Sequence, residues 1–127
     1  MITSDAAELA GEWVAHWSKD ETPAIAAGVG ASAVDWEIPR EKPELCWDVI
    51  LEILNRIEPD PSNRLFQVLA AGPLEDLLAN HGEAFVERVT AQAAKDPRFA
   101  RLLGGVWRHT MSAEVWSAVQ ASKSESW

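Results

Sequence analysis

Apolar residues recur along this chain at three- and four-residue steps, and each run ends at proline, glycine or a short polar cluster. That is the period of an α-helix with one buried face. Leu9, Trp13 and Trp17, with Ala6 and Ala10 beside them, predict a first helix from about Asp5 to Ser18, with Asp5 and Glu8 as its capping pair. A second helix starts near Pro43. Leu45, Cys46, Val49, Ile50, Ile53, Leu54 and Ile57 make it apolar nearly all round, which predicts a central position. Asp60-Pro61 and Asp96-Pro97 read as helix starts, each with aspartate as cap and proline at the first position. Ser112 caps a last helix carrying Val115, Trp116 and Val119.

The stretch from Leu69 to Leu78 organises the rest. An apolar run enters from Leu65 and Phe66, meets Gly72-Pro73, and resumes at Leu74, Leu77 and Leu78. Proline lacks an amide proton and crowds the preceding turn, so the pattern predicts two helical pieces sharing one apolar stripe across a hinge at Gly72, Pro73 and Glu75. His81-Gly82 is expected to close the second piece with a left-handed glycine, before another helix from Glu83 to Lys95. Helix five runs from Asp96 through Trp107, with Phe99, Leu102, Leu103, Val106 and Trp107 pointing inward and Gly104-Gly105 inside it at a cost of roughly 1 kcal/mol per glycine. Residues 19–42 form a long irregular connection and 122–127 a frayed tail. No alternating β-branched run reaches five residues. The expectation is a single all-α domain over residues 1–127: a compact bundle of about six helices, in antiparallel pairs of HEAT- or armadillo-like character.

Composition narrows this further. The chain has 127 residues, 47% of them hydrophobic, long enough for one core without a disulfide or metal. No apolar run approaches a membrane span, and Met1 to Asp5 has neither part of a signal peptide. Cys46 cannot pair internally and reads as a small buried hydrophobe. These features point to a cytoplasmic protein. The net charge of −9 is uneven: the first 80 residues hold fifteen acids against five bases, and the remainder five acids against six. Such a field disfavours nucleic acid and anionic membrane and favours encounter with a basic protein.

The C-terminal two thirds resembles a family of small bacterial proteins classed as a domain of unknown function. The residues that carry the likeness are Trp47 and the helix after it, Ala70-Ala71-Gly72-Pro73-Leu74-Glu75-Asp76-Leu77-Leu78, His81-Gly82, Asp96-Pro97-Arg98-Phe99, Leu102-Leu103-Gly104-Gly105-Val106-Trp107 and Val115-Trp116. The resemblance implies a helical fold and a bacterial or phage origin, and brings no activity with it. Residues 19–42 are longer and richer in Gly and Ala than the family leads one to expect.

Chemistry-bearing motifs are few. His16, His81 and His109 lack any His-x-x-x-His spacing, so no metal is expected. Gly28-Val29-Gly30 lacks the strand, third glycine and Lys-Ser/Thr of a phosphate loop. Glu75, Asp76 and His81 are the only grouping fit for acid–base work. Adjacent carboxylates diverge by about 100° on a helix, and Glu75 more simply accepts from free amides or pairs with Arg98, Arg101 or Arg108. No catalytic residue and no cofactor is assigned. The sequence reads as a non-enzymatic acidic interaction module that binds and inhibits a basic protein, in the manner of an immunity protein, antitoxin or phage-borne anti-defence (anti-CRISPR) inhibitor. Its expected contact residues are Trp36 between Asp35 and Glu37, and Trp47 with Asp48 and Glu52; Trp127 is a further exposed anchor. The alternatives are a nucleic-acid mimic with a stripe of Asp48, Glu52, Glu58, Asp60, Glu8 and Glu12, and a small enzyme or ligand binder using Glu75, Asp76 and His81. Seven tryptophans also allow self-association as a homodimer.

Overall fold

A computed structural model describes residues 4–18, 38–108 and 110–124. They form α1 (Ser4–Trp17), α2 (Ile38–Glu41), α3 (Pro43–Leu54), α4 (Arg64–Leu69), a π-helical turn (Ala70–Leu74), α5 (Glu75–Lys95), α6 (Pro97–Leu103) and α7 (Ala113–Ser122), with no strand among the described residues. The architecture is an all-α bundle.

The packing follows from which faces are apolar. Ala6, Ala10 and Trp13 of α1 are fully buried, and the two alanines let α1 lie close on α3. Cys46, Trp47, Val49, Ile50, Ile53 and Leu54 are buried around most of α3, so this helix is central, as its pattern predicts. α5 packs on the other side of α3 and in turn carries α6 and α7. The main helices therefore follow one another in space as α1, α3, α5, α7. Two arginines of α6 close the end of α3: Arg98 Nη1 donates to Asn55 Oδ1 at 2.9 Å and Arg101 Nη1 to the Pro59 carbonyl at 2.8 Å.

Four local expectations are corrected. Gly72-Pro73 does not break the helix: the chain passes from α4 to α5 through the π-turn. A π-turn already forgoes one backbone bond, and proline has no proton to donate there, so the widened turn absorbs it. A boundary does fall at His81-Gly82, where α5 is two helical pieces joined across a kink at His81 (φ −136°, ψ 21°), but Gly82 is not left-handed and sits under α7, where an added Cβ would lie 2.8 Å from Val115 Cγ1. Glycine is needed there for close approach rather than for a left-handed cap. Asn63, not Asp60, caps α4, accepting from Leu65 N–H at 3.2 Å, while Asp60 turns back on Ser62. Finally, α6 stops at Leu103, so Gly104 and Gly105 lie in the buried loop after the helix.

The predicted caps of the last two helices hold. Asp96 accepts from Arg98 N–H at 3.0 Å with Pro97 at the first position of α6, and Ser112 Oγ accepts from Val115 N–H at 3.2 Å. Residues 38–41 of the expected irregular connection form α2, whose Ile38 joins the core; residues 19–37 lie outside the described part.

Candidate functional site

The residues expected to act do not meet in one place. Trp36, Asp35, Glu37 and Trp127 fall outside the described residues. Trp47, expected at the surface, is in the core, its ring centroid 5.9 Å from that of Phe85 and 5.4 Å, edge-on, from that of Phe99. It lies on the α5/α6 side of α3, where two other large rings complete its environment. Glu52 is taken up by Arg56 one turn later, at 3.1 Å. Asp48 is half-buried and lies within electrostatic reach of Arg88, which itself pairs with Glu44 at 2.7 Å.

Glu75, Asp76 and His81 are likewise dispersed. Glu75 is buried and its Oε1 accepts the backbone N–H of Trp107 at 2.7 Å. His81 Nε2 faces the Arg40 carbonyl at 2.6 Å, tying the kink of α5 to α2. A cleft of about 400 Å³ beside the kink is lined by His81, Asn80 and Ser112 but by neither Glu75 nor Asp76. Cys46 is buried and its thiol leans on the Pro73 carbonyl at 3.9 Å; burial, and then the charge of Asp76, pushes the thiol far up. No group of three potential metal ligands comes together among the described residues.

What the fold does assemble is a groove between α1, α2 and the start of α3. Asp5, Glu8 and Glu12 are spaced three and four residues apart, which puts them within about 60° of one another around α1. They form one wall of an open groove of about 350 Å³ whose floor is Leu9, Ile38 and Leu45, with Lys42 at its edge. All three carboxylates are exposed, and none makes an ion pair among the described residues. The sequence expects Asp5 and Glu8 as a capping pair and places Glu8 and Glu12 in an acidic stripe with Asp48, Glu52, Glu58 and Asp60; it does not reveal that Asp5, Glu8 and Glu12 line one groove with Leu9, Ile38 and Leu45. The acidic excess is strongest at this end but is not confined to it, since Glu83, Glu87 and Glu114 are also exposed on α5 and α7.

A second surface is formed by the loop after α6 and by α7. Trp107, expected to point inward, is 71% exposed because the helix stops at Leu103, and it is the one large apolar side chain so placed among the described residues. With Trp116, Arg108, Gln120 and Lys123 it lines an open cleft of about 340 Å³.

A family model described as "Family of unknown function (DUF6869)" matches residues 15–127. The chain belongs to that family, and the match takes in everything from the end of α1 onward, although the acidic residues of α1 lie before it. No curated protein and no solved structure matches the chain. No helix of the described residues is long and apolar enough to cross a membrane.

Proposed function

We propose that this protein is a non-enzymatic interaction module that binds a basic protein partner and blocks it, and that the α1 groove is the docking surface. The observation that carries this reading is the wall of Asp5, Glu8 and Glu12 over an apolar floor. Carboxylates at the rim steer a cationic surface and fix its register, while apolar floor atoms supply contact area once water leaves. A lysine- or arginine-bearing helix or loop with one or two aliphatic side chains has the complementary chemistry. Inhibition of a cytoplasmic toxin or defence-complex subunit is the biological setting this chemistry fits; size and charge support it, as does the bacterial or phage origin that the family resemblance implies. The nucleic-acid-mimic reading has less support, because Glu52 is paired with Arg56 and Asp60 folds back on Ser62.

The test is affinity capture from the native host at low salt, with wild type and with the Glu8→Lys/Glu12→Lys variant side by side. The expected result is a basic protein retained by wild type, released at high salt, and bound at least tenfold more weakly by the variant when purified and titrated. A captured partner that binds both forms equally, or no partner at low salt, overturns the reading.

A further inference from the structure

Trp107 is an exposed indole on a fixed backbone. Its backbone N–H donates to the buried carboxyl group of Glu75, and Val106 before it and Met111 after it are both buried. Arg108, the next residue, is exposed, and its Nε donates to the Met111 carbonyl at 3.3 Å. A rigid tryptophan beside an arginine is the pair of side chains most enriched at the centres of protein interfaces, and pre-ordering lowers the cost of docking. The complement of such a knob is an apolar depression rimmed by carboxylates. This chain carries one: the α1 groove, open, wide enough for an indole, floored by Leu9, Ile38 and Leu45 and walled by acids.

The groove and the knob share no lining residue, and α1 does not pack extensively against α6 or α7. One molecule therefore presents both halves of a contact without closing it on itself. We propose that Trp107 and Arg108 of one copy dock into the α1 groove of a second copy, the indole on the apolar floor and the guanidinium against Glu8 and Glu12. Such a contact is heterologous, so it propagates head to tail instead of stopping at a two-fold dimer. Local charge complementarity acts at contact range, while the repulsion between two net-acidic bodies is screened beyond about 8 Å at physiological salt. The inference shares the groove with the function proposed above and adds a competitor for it.

Sedimentation equilibrium over a wide concentration range tests this with the full chain. Wild type is expected to show an average mass that climbs past the dimer as concentration rises. Trp107→Ala and Glu8→Lys/Glu12→Lys are each expected to be monomeric. Mixed one to one, they retain one good knob and one good groove, so the mixture gives dimers and nothing larger. Arg108→Glu, which keeps the indole, is expected to be weak alone and to regain larger species when mixed with Glu8→Lys/Glu12→Lys, because the swapped charges restore the second contact. A wild type that stays monomeric at the highest concentration overturns the proposal. So does association of Glu8→Lys/Glu12→Lys alone at wild-type strength, which would place Trp107 against its own counterpart. Self-association lost while the basic partner is still captured sinks this inference alone, and the converse result sinks only the proposed function.

Discussion

Glu75 and Trp107, 32 positions apart, are joined by a carboxylate–amide hydrogen bond of 2.7 Å that closes the loop after α6 onto the first turn of α5. The acceptor is a buried carboxyl oxygen, and losing it leaves the Trp107 N–H without this partner. Glu75→Ala is expected to cost about 1–3 kcal/mol in urea unfolding. Glu75→Gln, which keeps a carbonyl oxygen at the same place, should cost clearly less. Equal losses in the two variants would show that something only the carboxyl group supplies, and not an acceptor oxygen at this position, matters here.

Position decides what each tryptophan contributes. Trp47 fills the space between Phe85 and Phe99, whereas Trp107 meets solvent over most of its surface. Trp47→Ala is expected to destabilise the fold by about 3–5 kcal/mol, the range for large-to-small changes at buried aromatic sites. Trp107→Ala should stay within about 0.5 kcal/mol of wild type. Thermal melts followed by circular dichroism distinguish the two; a large loss for Trp107→Ala would assign that ring a packing role.

Why the sequence separates some of these roles and not others has a physical answer. Faces spaced at 3.6 residues identify the buried sides of α1 and α3, and the Asp96-Pro97 and Ser112 caps are local chemistry, so each is readable from a few adjacent residues. Gly72-Pro73 is ambiguous because a broken helix and a π-turn satisfy the same missing proton; only the packing of Pro73 and Leu74 into the core selects the second. Gly82 looks like a cap because glycine serves two purposes, and Val115, 33 residues away, decides which. Trp47, expected as a surface anchor, lies to one side of the main apolar stripe of α3, and that side faces Phe85 and Phe99 of α5 and α6 rather than water. The acidic groove needs α2, which only tertiary contact places beside α1.

Close approach at Gly82 gives a prediction of its own. An added methyl would stand 2.8 Å from Val115 Cγ1 and 3.1 Å from Cγ2, well inside contact distance. Gly82→Ala should therefore force α5 and α7 apart at a cost of about 1–3 kcal/mol, despite the better helix propensity of alanine. Trimming the neighbour in Gly82→Ala/Val115→Ala should recover part of that loss, so the double-mutant cycle has a favourable coupling term. Additive losses would show that the two residues do not compete for the same space.

Asp96 links the cap of α6 to acid stability. Partial burial alone would raise its carboxyl pKa, but the Arg98 guanidinium at 3.0 and 3.1 Å, the Arg98 N–H and Gln92 more than offset that, and the pKa stands below the usual carboxylate value. A group whose pKa is depressed on folding contributes stability in full above its unfolded pKa, near 4. That contribution fades as pH falls through the lower, folded value. Asp96→Asn keeps an oxygen for the cap and loses the charge, so its deficit relative to wild type should be constant from pH 7 to about 5 and shrink below 4. Asp96→Ala, which also removes the cap, should retain a deficit of about 1 kcal/mol in acid. Urea denaturation across this range separates the two terms, and a pH-independent gap between wild type and Asp96→Asn would remove the ion pair from the account.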